Sequence, residues 1–488
     1  MLPILIVLAV QPLSHAQYSN LPTLGDTARG ELSPLMEYKI GVEIMHRIQM
    51  DPDYITDEVI TEYLNNLGGK LVNATPEVRG ETGNDFFFFA LRDSTLNAFA
   101  LPGGFIGVHT GLLVAAQSES ELASVLSHEI GHVSQRHIAR MIGQQKQDML
   151  IPIASLLLAA IAGATKNADA AGALAVGGQG LAIQKQLNFT RDAEREADRV
   201  GFQILRGAGF DTNGMVLFFE RLQKSSRSYG EGFSEYLRTH PLTSQRIADV
   251  EARVRQEPYR QHADSPDFYF VRIRAALLQD SSVKGIETAA TGFQEMIKTG
   301  GRFPVAAGYY GQALLAMKQN DAAKATAFLQ ETKKTLGDKV SQGSLALTST
   351  SIDIKLLAGQ PAEAAREAQA ALSRFPVSRA LSHQYASALY HAENYTKAAE
   401  YLRKQAQIYR SDPMIHGMLA KVYGAQGKIA QMHMELAESY SLSGVLAAAL
   451  EQLMLARQAP DVTFYDHSII DAREREWQSQ RLDEMREK

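Results

Sequence analysis

Apolar residues along this chain fall mostly at helical spacing, and the places where that spacing breaks divide it into units. "MEYKIGVEIMHRIQ" (36–49) and "ITDEVITEYLNNLGGKLV" (55–72) repeat apolar positions every three or four residues, which predicts two helices. The pattern then changes. "NDFFFFALRDSTLNAFALPGGFIGVHTGLL" (84–113) is rich in aromatic and β-branched residues around Pro102-Gly103-Gly104, and predicts short strands joined by a turn. Leu122, Leu126, Ile130 and Val133 restore the helical period without a proline, predicting an amphipathic helix.

Residues 149–187 have another character: "MLIPIASLLLAAIAG", a polar break, then "AAGALAVGGQGLAIQ". Neither run reaches the length of a membrane span. They fit a helical hairpin in the core, or a substrate lid or membrane-surface element. From about residue 265 helical pairs recur. Gln360, Asn394 and Gly427 sit at corresponding turns of "LLAGQPAEAAREAQAAL", "LYHAENYTKAAEYLRKQ" and "VYGAQGKIAQMHMELAE", spaced by 34 and 33 residues. "LLAMKQNDAAKATAFL" is a looser copy upstream. That period predicts tetratricopeptide repeats stacked into a solenoid, used either to bind proteins on a concave face or to brace the unit before it.

The expected fold is therefore mainly α: a helical domain with a small β-sheet, then an all-α tetratricopeptide-repeat solenoid. We place the domains at 17–262 and 263–488, after a signal peptide at 1–16. In "MLPILIVLAVQPLSHAQYSN" an apolar core, Leu2 to Val10, precedes Ser14 and Ala16 at the −3 and −1 positions of a cleavage site. No Lys or Arg precedes that core, a departure from the usual signal, and a buried N-terminal strand is the other reading. Net charge is −5, which gives no broad basic surface for nucleic acid. There are no cysteines, so a zinc site must be built from His, Asp or Glu.

"SVLSHEIGHVSQRHI" (124–138) supplies such residues. On a helix turning about 100° per residue, His128 and His132 share one face and can close on a single ion. Glu129 stands beside that ion, placed to take a proton from water. His137, nine positions after His128, falls on roughly the opposite face and reads as a surface residue. The pattern is H-E-x-x-H, the zinc-protease helix. Catalytic zinc takes three protein ligands and a water. "FTRDAEREADRVGFQIL" offers the third, Glu194, with Asp198 on the same face as acceptor for a ligand imidazole. Glu196, turned about 200° from Glu194, reads as a solvated charge. His240 precedes a proline in "RTHPLTSQRIADV" and so lies in a non-helical turn. It either fills the fourth zinc position and holds the site closed, or is an ordinary loop histidine. Arg246 either orients that segment or stabilises an oxyanion. His109 reads as an edge-strand side chain. His46, His262, His383, His391, His416, His433 and His467 show no ligand spacing and read as structural.

Taken together, "SHEIGHVSQRH", "TRDAEREADRVG", "NAFALPGG" and "RTHPLTSQRIAD" resemble the HtpX-related zinc metallopeptidases. With the signal and the repeats, nearly the whole mature chain resembles the periplasmic BepA type, the β-barrel assembly-enhancing proteases. The resemblance implies a zincin-like metallopeptidase domain with one zinc on His128, His132 and Glu194, and catalysis by Glu129, beside which Asp198 is the supporting residue read above. It also implies a self-inhibiting His240 and a Gram-negative periplasm. The substrates would be unfolded or misassembled outer-membrane proteins, with the β-barrel assembly machinery met through the repeats. The strand around Asn97, Ala98 and Phe99 is the expected substrate-pairing edge. A second reading, from another class, is a chaperone or adaptor of β-barrel assembly whose metal site is latent.

Overall fold

The computed structural model describes residues 32–79, 85–143, 191–228 and 235–486. The expected signal segment and the apolar stretch 149–187 lie outside the described residues. No described helix is long and apolar enough to cross a membrane.

Helix α1 (Pro34–Gln49) starts where the Ser33 hydroxyl accepts the Met36 amide and Pro34 supplies a preset φ. In α2 (Glu58–Ala74) the Asp57 carboxylate caps the amides of Val59 and Ile60. Three strands follow: β1 (Phe87–Leu91), β2 (Ala98–Ala100) and β3 (Phe105–His109). Their order is β1-β3-β2, with β3 in the centre, parallel to β1 and antiparallel to β2. The turn into β3 needs its glycines. Gly103 and Gly104 have φ of +79° and +93°, and a Cβ on Gly104 would lie 2.4 Å from the Asp85 carbonyl oxygen.

Next come α3 (Thr110–Ala115), α4 (Glu119–Ser134), α5 (His137–Gly143), α6 (Arg191–Gly207), α7 (Asn213–Ser228), α8 (Glu235–Thr239) and α9 (Ser244–Val254). The expected amphipathic helix is α4, but it has no polar face: every residue from Glu119 to Val133 is buried. The sheet, α2, α6 and α7 enclose it, so its polar residues face protein on all sides. The crossing of α4 and α6 is a backbone contact. A Cβ on Gly131 would meet the Ala197 carbonyl oxygen at 2.9 Å, and one on Gly201 would meet the His128 backbone at 3.0 Å. Two glycines thus bring the face of α6 onto the histidines of α4.

From α10 (Pro266–Gln279) to the helix Phe464–Arg486 the chain is a run of helical hairpins. The turns at Asn320, Gly359, Glu393 and Gly427 share one backbone device, a single left-handed residue. The equivalence lies in conformation rather than residue type, which is why the copies look degenerate.

The hairpins curve back over the first part of the chain. Arg274 on α10 donates to Asp57 at 2.8 Å and to the Tyr310 hydroxyl at 2.7 Å. Ser378 and the Ala380 amide donate to Glu62 of α2. Gly444, far along the repeats, lies against His46 of α1. His383 is buried between Glu58 of α2 and Asp412, 3.3 Å from the latter. Burial disfavours its charge, but hydrogen bonds to Asp412 and Glu58 hold its pKa at about 9.

A histidine whose folded pKa is raised stabilises the fold fully below its unfolded value near 6.5. That stabilisation is lost as pH rises through about 9. Raising the pH from 6 to 9.5 is therefore expected to remove on the order of 1–3 kcal/mol from wild type, and much less from His383→Gln. Urea unfolding of both proteins at the two pH values measures this. The same pH dependence in both would show that His383 contributes nothing.

Candidate metal centre

Residues His128, His132, Glu194 and His240 converge in the interior, and each offers one ligand atom, all within 4.8 Å of one another. Helix α4 presents the imidazoles one turn apart, their Nε2 atoms separated by 3.0 Å. Glu194 on α6 completes a triangle, with Oε2 3.5 Å from His128 Nε2 and Oε1 3.3 Å from His132 Nε2. A tetrahedral site with bonds of 2.0–2.1 Å has edges of about 3.3 Å. These groups therefore fit a zinc-sized ion, and their nitrogen and carboxylate donors suit it chemically.

His240 enters from the turn after α8. Its amide donates to the Tyr236 carbonyl at 2.7 Å, and its ring stacks on the Tyr236 ring with centroids 4.5 Å apart. Its Nδ1 is 3.0 Å from Glu194 Oε1, and its Nε2 is 3.7 Å from Glu129 Oε1. It is buried with the other three.

Glu129 is fully buried, with a backbone hydrogen bond from Ala100 and His240 facing its carboxylate. Burial raises its pKa, the imidazoles of His240 and His128 pull it down, and Glu194 adds to the rise. A buried carboxylate with so few donors is costly, and such a group is a ready proton acceptor beside the cluster.

Asp198 lies behind His128, its Oδ1 2.9 Å from Nδ1. Arg246 grips Asp198 with two nitrogens at 2.6 and 2.8 Å. Its third lies 2.7 Å from Glu194 Oε2 and 2.9 Å from the Pro241 carbonyl, to which it donates. Of the two roles expected for Arg246, orienting the segment is the one these contacts fit. Only 2% of the side chain is exposed and its donors are engaged. Burial works against charge throughout the cluster, yet neighbours decide its sign. Hydrogen bonds to Asp198 and Glu194 raise His128 to about 10, despite its burial. Glu194 is held well below the usual carboxylate range by His240, His128 and His132, against its own burial. Burial pushes His132 well below its usual value. Glu194 and Asp198, whose pKa values are lowered by these neighbours, favour a cation between the rings.

Ala98 and Phe99 lie on β2, the outer strand of the sheet, which runs beside α4. Asn97 precedes it, buried, with its side-chain oxygen lacking a partner. Three histidine and carboxylate readings change. His109 is on the central strand, buried and 2.8 Å from the Thr95 hydroxyl, because β3 inserts between β1 and β2. His137 is buried too, against His132, and burial lowers its pKa to about 4. Glu196 is paired with His137 and Arg140 instead of being solvated. The helical-wheel placement failed because α4 ends at Ser134 and Arg136 adopts a left-handed φ of +52°. Tyr236, which supports His240, carried no signal in the sequence.

Residues 68–254 match the model of peptidase family M48. The chain is 30% identical to the "Beta-barrel assembly-enhancing protease" of Escherichia coli strain K12, over 95% of this chain and 92% of that one. It is 41% identical to a Vibrio cholerae protein provisionally given the same name, over 52% of this chain and 51% of that one. It is 33% identical to the "Mitochondrial metalloendopeptidase OMA1" of Arabidopsis thaliana, over 32% of this chain and 29% of that one.

Proposed function

The chain belongs to the β-barrel assembly-enhancing proteases, whose metallopeptidase region is of family M48, and from that premise we propose how its residues hydrolyse peptide bonds and on what. It is a metalloprotease. We assign the metal as zinc, held by His128, His132 and Glu194, with His240 beside them in the resting chain. When bound, that ion supplies Lewis acidity, lowering the pKa of water and polarising the scissile carbonyl. Glu129 takes a proton on its carboxylate and returns it to the leaving amine. Asp198 accepts the Nδ1 proton of His128 and keeps Nε2 turned inward. Arg246 holds Asp198, Glu194 and the Pro241 carbonyl in one arrangement.

The edge of β2 through Ala98 and Phe99, with Asn97 at its start, is the surface that pairs with an extended substrate. Pairing through the backbone selects unfolded segments and unpaired strands over any one sequence. The substrates we propose are unfolded or stalled outer-membrane proteins in the periplasm, reached after removal of residues 1–16. We take 17–262 as the catalytic unit. Residues 263–488 would be a tetratricopeptide-repeat unit that meets the β-barrel assembly machinery.

The observation that carries this reading is the triangle of His128, His132 and Glu194 at tetrahedral spacing, with the buried Glu129 beside it. The purified chain is expected to digest an unfolded outer-membrane β-barrel protein, to lose that activity with a chelator and to regain it with zinc. Digestion that survives complete metal removal would end the reading. The position of His240 against Glu194 and Glu129 also favours a second activity: a closed chain that holds clients or the assembly machinery without cutting.

A further inference from the structure

Behind His132, on the side away from the cluster, lies a second line of buried polar groups. Helix α4 stops at Ser134, and Arg136 turns the chain through a left-handed conformation. Arg136 is fixed there by Glu37, whose Oε2 accepts from its Nε at 3.1 Å, and by the Leu32 carbonyl at 2.7 Å. The turn swings His137, first residue of α5, back over His132. Their Nδ1 atoms are 2.8 Å apart, and the rings meet at 75° with centroids 4.8 Å apart. On its far side, His137 Nε2 is 3.1 Å from Glu196 Oε2, which also accepts from Arg140 at 2.7 Å.

We propose that His137 and Glu196 are positioning residues for the metal centre: a hydrogen-bonded relay that fixes the tautomer and ring angle of His132. The inference rests on the ligand assignment above. Proton placement follows from the geometry. Nε2 of His132 lies 3.3 Å from Glu194 Oε1 and faces the proposed ion position, so it must offer a lone pair there, and the ring proton sits on Nδ1. That proton is donated to Nδ1 of His137, which leaves the His137 proton on Nε2, donated in turn to Glu196. An ionised carboxylate only accepts, so the chain runs in one direction. Reversing it would require protonating Glu196 and moving the lone pair of His132 away from the ion.

The two α4 imidazoles are thus each tied to a carboxylate of α6, His128 directly to Asp198 and His132 through His137 to Glu196. A ligand imidazole whose second nitrogen donates to an anionic acceptor is both oriented and made more basic.

The test is zinc affinity, measured by competition with a chromogenic chelator on the full chain. His137→Phe keeps a buried ring against His132 but removes the acceptor. Glu196→Gln keeps an acceptor and removes the charge. His132→Ala is the reference for losing a ligand. His137→Phe is expected to weaken zinc binding by about 10- to 100-fold and Glu196→Gln by less, with the melting temperature of the chelator-treated chain unchanged in both. Cobalt substituted for zinc should show shifted visible bands in His137→Phe. If His132→Ala loses zinc while both relay variants bind it as tightly as wild type, the relay is wrong and the ligand assignment stands. If His132→Ala binds zinc normally, the ligand assignment fails and takes the relay with it. If His137→Phe does not fold, Glu196→Gln decides alone: unchanged affinity overturns the proposal.

Discussion

Glu129→Gln is expected to keep the metal and to lower peptide hydrolysis by about 10²- to 10⁴-fold, the usual contribution of a general base. The substitution changes one oxygen to an amide in a space already shaped for the side chain, and Glu129 is not among the four converging ligand residues. Binding of the ion should therefore survive. What disappears is the carboxylate's capacity to take up a proton, which an amide lacks. Single-turnover cleavage of an unfolded protein, with metal content measured on the same sample, gives the answer. A variant that keeps both zinc and full activity would move the general base elsewhere. Any holding or adaptor activity should persist in Glu129→Gln, since that activity needs no proton transfer.

His240→Ala is expected to act in the opposite direction and to raise the resting rate of cleavage. The imidazole lies 3.0 Å from Glu194 and 3.7 Å from Glu129, in the space a substrate carbonyl and a water need. Among the contacts that hold it there are the stacked Tyr236 ring, the Glu194 carboxylate and the Arg246 hydrogen bond to the neighbouring Pro241 carbonyl. If the open form is about 1–10% of the population, freeing the site raises the rate about 10- to 100-fold. Initial rates of the variant and wild type on one unfolded substrate, at matched zinc content, measure this. An unchanged or lower rate with zinc retained would mean that His240 does not hold the site closed.

The parts of this site that local geometry determines were legible in the residues. His128, Glu129 and His132 sit within two turns of one helix, and the helix period alone places them. Glu194 needed only the idea that a second helix must supply a carboxylate. His137 and Glu196 were misread because their contact depends on one left-handed residue, Arg136, whose conformation is set by Glu37 and Leu32 from about a hundred positions away. No periodicity contains that information. His109 was misplaced for a related reason. Strand order is non-local, and β3, last in the chain, takes the centre of the sheet. The repeats were legible as helical pairs, but their curvature back onto α2 was not. It rests on side chains such as Arg274, Ser378 and His383 that look like ordinary helix residues until α2 lies beside them.

The glycine crossing of α4 and α6 bears on ion selectivity. Gly131 and Gly201 set the helix separation by direct backbone contact, so the gap between the two histidines and Glu194 does not depend on soft side-chain packing. The edges of 3.0, 3.3 and 3.5 Å suit bonds of about 2.0–2.1 Å. Calcium, with bonds of 2.3–2.6 Å and a need for six or more oxygens, would have to force the helices apart and would find too few oxygens. If the ion is zinc, as proposed, two missing methyl groups would help to exclude hard cations alongside the choice of histidine.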